Sequence, residues 1–299
     1  MSRFLDDLAR LDRNRPRGRT GVAELRPLAA PLPRLTDVRA PDGIEGARVE
    51  RHGDGDVFVV RREVEALVGS ASPERAIAEG LDHLGARDPT AIDRGLRTAH
   101  GFGLADVVVL DLETTGFWGC PVFLVGMLAA EGGRLVTTQY LARDYSEEAA
   151  IVAAAVSSLR TRRLLVTFNG KSYDVPCLRE RAAHHRMRWS PRDLAHVDLL
   201  HPARRLYRHE LSDCRLTTLE REIVGIHRTG DVASADIPAV YHAFAATGFW
   251  DSLRPVLHHS RIDLVTTACL LGELLAAQAR DEFPRPRPKR KRKRDVLAE

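Results

Sequence analysis

From Asp106 onward the chain alternates short apolar runs with amphipathic stretches in a regular order. VVVLDLE (107–113) is an apolar run that ends in acids, the pattern of a buried central strand. PVFLVGMLAA (121–130) and RLVTTQYLA (134–142) are two further strands, joined by a turn at Glu131–Gly132–Gly133, and the short connections predict an antiparallel meander. SEEAAIVAAAVSSLR (146–160) has helical periodicity, with Ser146 as the expected N-cap and acids in the first turn. A fourth strand follows over LLVTFNG (164–170), a helix over about 173–185, and a fifth strand over HVDLL (196–200). Helical patterns then cover 202–208, 216–224, 237–246 and about 254–280. The order β-β-β-α-β-α-β, then helices, predicts an α/β fold: a mixed sheet, three antiparallel strands extended by parallel ones, flanked by helices.

The first hundred residues are less regular. Residues 1–40, rich in Arg, Pro and Asp, read as a short helix over 3–11 followed by an extended, partly disordered arm. Residues 41–104 form a small N-terminal region of unassigned role. It has one strand over 56–64 after a turn at Gly53–Asp54–Gly55, and helical stretches around 73–84 and 90–99. The main domain is expected over 105–280, and 281–299 as a disordered tail.

Composition changes this picture in two places. The net charge of +4 conceals a split: PRPRPKRKRKR (284–294) carries eight positive charges, and removing them leaves −4 for the rest. The body is mildly acidic, and the tail is a flexible polycation suited to nucleic-acid phosphates or, more plainly, to solubility. Three of the four lysines lie in that tail; Lys171 stands alone in the body. Cys120, Cys177, Cys214 and Cys269 form no C-x-x-C pair and read as reduced, mostly buried thiols. No apolar run of about 20 residues is evident, and no secretory signal, so the expectation is a cytoplasmic protein without a membrane partner.

The chemistry lies in the acids. Asp111 and Glu113 sit two apart near the end of a strand, so alternation turns both to one face. Paired like charges beside a buried run cost several kcal/mol unless a cation joins them. Oxygen ligands with no nearby His or Cys point to magnesium or manganese. Asp174 falls in the first turn of a helix after the fourth strand, where the helix dipole favours an anion. Asp263 sits beside the apolar stripe of the last long helix, with His259 one turn earlier and His258 five residues earlier.

These segments resemble a known family. DLETTG (111–116), FNGKSYD and HSRID look like the three motifs of the DEDD 3′→5′ exonuclease superfamily. Residues from about 105 to 275 more narrowly resemble the YprB-type ribonuclease H-like family, through DLETTGFWGCPVFLVG, LVTFNGKSYDVPCL, HVDLLHPARRLYRHELSDCRLTTLEREIVG, DIPAVYHAF and the final H-x-x-x-D. The resemblance implies removal of 3′-terminal nucleotides by two-metal catalysis on two Mg²⁺ or Mn²⁺ ions. Asp111 would bridge them, Glu113 and Asp263 would hold one, and Asp174 the other. It also implies a catalytic His259, placed at the four-residue spacing; the five-residue spacing would select His258.

Thr114, Asn169 and Lys171 are candidate contacts to the phosphate or terminal sugar. Thr115 is a weaker candidate. Phe117 and Trp118 could stack on a base or simply pack. Arg204, Arg205 and Arg208 could follow a backbone or form a solvated face, and Asp198 could support the site from behind. The expected partner is DNA or RNA, with a single-stranded 3′ end, and a helicase is a second candidate partner. Two other readings stay open: a structure-specific endonuclease of the same fold, and a non-catalytic, helicase-associated adaptor.

Overall fold

The computed structural model describes residues 44–52, 55–64, 72–116 and 119–284. The expected N-terminal helix and arm, Gly53 and Asp54 of the first turn, Phe117, Trp118 and the basic residues from 285 onward lie outside the described residues. The architecture is a seven-stranded mixed sheet. We number its strands β1 (Ala47–His52), β2 (Gly55–Glu63), β3 (Val107–Thr114), β4 (Val122–Glu131), β5 (Arg134–Leu141), β6 (Leu164–Thr167) and β7 (Ala195–Asp198). Their order across the sheet is β1-β2-β5-β4-β3-β6-β7. The hairpins β1–β2, β3–β4 and β4–β5 and the β2–β5 pair are antiparallel. β6 and β7 add to β3 in parallel. This is the ribonuclease H-like α/β fold expected from the element order and the resemblance.

The helices are α1 (Pro73–Gly85), α2 (Glu148–Leu159), α3 (Asp174–His184), α4 (Leu200–Tyr207), α5 (Leu216–Leu219), α6 (Ile237–Thr247) and α7 (Arg254–Ala279). Strand alternation divides the apolar residues into two cores. Val108, Leu110 and Leu112 of β3 pack on one side with Ile151 and Val152 of α2 and Tyr241 and Phe244 of α6. Val107 and Val109 pack on the other side with Ile77 and Leu81 of α1 and Leu264, Leu271 and Leu275 of α7. Asp111 and Glu113 continue the second register, so β3 delivers both acids to the face that α7 covers.

Several local expectations change. The region 41–104, expected to stand apart, contributes its two described strands to the main sheet: β2 pairs with β5, and β1 extends the edge. The helix expected over 90–99 is two short 3-10 turns, Pro89–Ala91 and Arg97–Ala99. Asp144, not Ser146, caps the start of the 146–160 segment: its Oδ1 accepts from the Ser146 amide at 2.8 Å. A 3-10 turn over Tyr145–Glu147 precedes α2. Residues 216–224 begin as α5 and widen into a π turn over Glu220–Val224. The Gly132–Gly133 turn is as expected: both glycines take positive φ (57° and 83°), as a two-residue hairpin turn requires. Of the four free cysteines, Cys177 is buried and the others are half-buried.

α7 with the turn before it, Trp250–Ala279, is long and apolar enough for a membrane span by length and hydropathy, which corrects the reading that no such run exists. Two-thirds of its apolar window (67%) is buried against the sheet and α1, the environment of a core helix.

Candidate active site

Four acids approach from three elements. Asp111 and Glu113 end β3 and are half-buried. Asp174 opens α3 and is buried, with its Oδ1 accepting from the Leu112 amide at 3.1 Å, which ties α3 to β3. Asp263 comes from α7. The close approach of α7 has a specific cause. Gly126 on β4 is the cross-strand partner of Asp111. A Cβ there would stand 2.8 Å from Ser260 Oγ and 3.0 Å from Leu264 Cδ1, so the absent side chain is what lets α7 lie against the strands.

The carboxyls sense one another. Burial first, then the charges of Glu113, Asp263 and Asp174, push the Asp111 carboxyl well above the usual carboxylate range. Glu113 is pushed up to about 8 by burial and then by Asp263, Asp174 and Asp231. Burial raises Asp174 to about 7 against the hydrogen bonds of the Asp174 and Leu112 amides. Burial also raises Asp263, opposed by Arg228 and His259. Asp111 Oδ2 is buried with no hydrogen-bond partner. Among the described residues no set of three or more His, Cys, Asp or Glu side chains stands ready as a finished ligand cage. One reason is visible: the guanidinium of Arg228 pairs with Asp263 Oδ1.

That arginine belongs to a network that periodicity could not reveal. Its Nη2 and Nε donate to Glu220 at 2.6 and 2.7 Å, and its Nη1 donates to Asp231 Oδ2 at 3.1 Å. Thr266 Oγ1 donates to Glu220 at 2.6 Å. One guanidinium thus serves three carboxylates. Asp111, Glu113 and Asp174 have no ion pair among the described residues. The segment 226–235 falls between the sequence motifs; its signal is His-Arg-Thr-Gly-Asp, a cation and an acid set around a glycine.

The two histidines separate cleanly. His258 is exposed, whereas His259 is buried. His259 Nδ1 lies 2.8 Å from Asp231 Oδ1, and its Nε2 lies 3.6 Å from Asp263 Oδ2. His259 and Arg228 offset the partial burial of Asp231 and hold its carboxyl below its ordinary range. Asp231 is a carboxylate that can only accept, so the shared proton sits on Nδ1, and Nε2 is the ring nitrogen turned toward Asp263 and Ser234.

The remaining candidates fall in different places. Thr114 is buried, and its hydroxyl donates to the Gly116 carbonyl at 2.6 Å and meets Tyr173 Oη at 2.8 Å; it closes the turn after β3 and is not presented to a ligand. Thr115 Oγ1 likewise donates to Pro121 O at 3.3 Å. Asn169 is exposed at a left-handed φ of 63°, which Asn tolerates better than most residues. Lys171 is exposed beside it. Asp198 shapes that loop, accepting from the Asn169, Lys171 and Leu200 amides at 2.8, 3.0 and 3.1 Å. Arg205 is tied to Asp93 (Nε to Oδ2, 2.7 Å), which removes it from the proposed backbone track; Arg204 and Arg208 are exposed.

Comparison with known proteins agrees with this architecture. The pattern that defines the RNase H superfamily matches residues 108–275, more than half of the chain. The chain is also 32% identical over 177 residues to "Uncharacterized protein YprB" of Bacillus subtilis (strain 168). That match takes in 58% of this chain and 43% of the relative, so the chain spans less than half the length of the curated protein it matches.

Proposed function

Since the chain belongs to the RNase H superfamily, as a YprB-type ribonuclease H-like protein, we propose that it is a metal-dependent 3′→5′ exonuclease acting on single-stranded ends of DNA or RNA. The observation that carries this reading is the acid surplus around Asp111. Four carboxyls from β3, α3 and α7 press on one another, and one buried oxygen has no partner. Such a cluster is costly by itself and is stabilised by added positive charge. The donor set is all oxygen, which fits magnesium or manganese. Asp111, Glu113, Asp174 and Asp263 would hold the ions. Bound divalent cations would supply the charge that polarises the phosphate, lowers the pKa of water and steadies the departing 3′ oxygen.

The protein's own residues do the rest. Asp231 fixes the tautomer and orientation of His259, so that Nε2 is free to accept a proton from water. Arg228 holds Glu220, Asp231 and Asp263 in one frame. Asp198 sets the Asn169–Lys171 loop, which presents an exposed amide side chain and an exposed ammonium to the strand end.

Digestion of 5′- and 3′-labelled single-stranded DNA and RNA with Mg²⁺ or Mn²⁺ tests the reading. Stepwise shortening from the 3′ end, abolished by EDTA, is expected. Internal cuts would make the protein an endonuclease, and full activity in EDTA would remove the acid cluster from the chemistry.

A further inference from the structure

The cations of the folded body are unevenly used. At the β1–β2–β5 end of the sheet, Arg48, Arg51, Arg61 and Arg134 each pair with an acid: Glu50, Asp56, Glu131 and Glu63. At the opposite edge Lys171, Arg179 and Arg192 are exposed, and they form no ion pair among the described residues. All three line one cleft of about 240 Å³. Lys171 comes from the loop after β6 and Arg179 from the outward face of α3, one turn beyond Val175. Arg192 comes from the 3-10 turn Pro191–Asp193 that leads into β7. The cleft therefore follows α3 along the free edge of the sheet.

Its position links it to the acids. Lys171 and Val175, both in the lining, flank Asp174 in the chain. One end of the cleft is therefore the loop and first helical turn that carry Asp174. Its remaining lining is Val175, Pro176, Pro191 and His196, so among the described residues it offers a base no Phe, Tyr or Trp to stack on. His196 is not a fourth cation: its Nε2 lies 2.8 Å from Thr167 Oγ1, and burial and then Lys171 push it down to about 4. Three positive charges without an ion pair among the described residues, set among apolar spacers, complement a chain of phosphates.

We propose that this cleft is a sequence-independent track for the phosphodiester backbone of the strand whose end lies at Asp111, Glu113, Asp174 and Asp263. The proposal rests on the nuclease reading above and adds the path the strand takes.

The test uses the full chain carrying Asp111→Asn, so that the probe survives, and fluorescein-labelled oligo(dT) and oligo(dA) titrated from 50 to 200 mM salt. Lys171→Ala/Arg179→Ala/Arg192→Ala is compared with Arg51→Ala/Arg75→Ala/Arg134→Ala. The control triple removes equal charge from exposed, acid-paired arginines elsewhere. Losing three phosphate contacts should reduce the slope of log K against log salt by about 2 on single strands. The fall in affinity over that salt range then becomes about 16-fold smaller, alike for both oligonucleotides, with the control triple near the parent. An unchanged slope in the cleft triple overturns the track while leaving 3′→5′ cleavage by the unmutated chain intact. An equal change in both triples, or a change on one oligonucleotide only, also overturns it. A parent that binds neither oligonucleotide overturns both readings.

Discussion

Two arginines with covered side chains, Arg181 and Arg228, mark the difference between a charge cluster that holds a fold together and one that is set up to do something. Arg181 on α3 meets Glu148 at the start of α2 through two 2.6 Å hydrogen bonds; the Val122 amide and His185 complete the carboxylate's shell at 2.8 and 2.9 Å. Donors match acceptors, and the hydrogen bonds of Arg181, Val122 and His185 hold the Glu148 carboxyl below its ordinary range despite burial. Arg143 and Glu147 repeat the balance nearby. Arg228 is as deeply placed, but it is shared by Glu220, Asp231 and Asp263, and three more acids lie beyond it. At Asp263 and at those three acids the carboxyls rise instead of falling. A balanced ion pair is finished as soon as the chain folds. An acid surplus is finished only when positive charge arrives from outside, which makes it responsive to metal, to pH and to substrate.

The largest effect that would break this contrast is at Asp111. Asp111→Asn should lower cleavage by at least about 10³-fold, the equivalent of several kcal/mol, and abolish the rise in melting temperature that Mn²⁺ gives the parent. In EDTA at pH 8 the same variant should melt no lower than the parent, because it removes a repelled charge; a marked loss of stability there would place Asp111 with the structural pairs. Next, Arg181→Met should cost about 3–5 kcal/mol in urea unfolding, since Glu148 is left buried and uncompensated, while a variant still folded keeps its response to Mn²⁺. His259→Ala should lower kcat by about 10²-fold or more with KM little changed. Asp231→Asn should follow with about 10–100-fold, and exposed His258→Ala should be silent. Equal effects at 258 and 259 would end the assignment of the lone pair at His259 Nε2.

The smallest effect sharpens the sign of the comparison. Glu113 and Asp174 have folded values of about 8 and 7, above their ordinary 4.5 and 3.8. Their contribution to metal-free stability is complete below about pH 4 and is lost as pH rises through 7 to 8. Glu148 is shifted the other way, so its contribution is present above its ordinary 4.5 and is lost as pH falls. In EDTA the melting temperature should therefore drop by at least about 2–4 °C between pH 5.5 and 8, and Mn²⁺ should flatten the decline. A rise over that interval would mean that the acids are not crowded.

Much of this was legible in the sequence because it is written in short-range spacing. VVVL announced a central strand, a two-residue step put Asp111 and Glu113 on one face, and a four-residue step put His259 above Asp263. β1 left no such mark: ARVERH runs along the sheet's outer edge with no fully buried residue, so its pattern is that of a solvated segment. Arg228 was invisible for a different reason. It reaches Glu220 eight residues back and Asp263 thirty-five residues on, from a stretch with no period. Thr114 shows the converse: it stands inside a conspicuous motif, but its hydroxyl is spent on a turn. Motif membership located the neighbourhood, and only the packing assigned the tasks within it.

Gly126 carries a consequence for how such a protein can drift. A methyl at that position would press on Ser260 and Leu264, side chains of the helix that also bears His259 and Asp263. The strand pairing and both apolar cores would survive a shift of a few tenths of an ångström; the alignment of groups from two elements on one phosphate is far less tolerant. Glycine to alanine is a single-base change. That one-base change should therefore lower cleavage far more than it lowers the melting temperature.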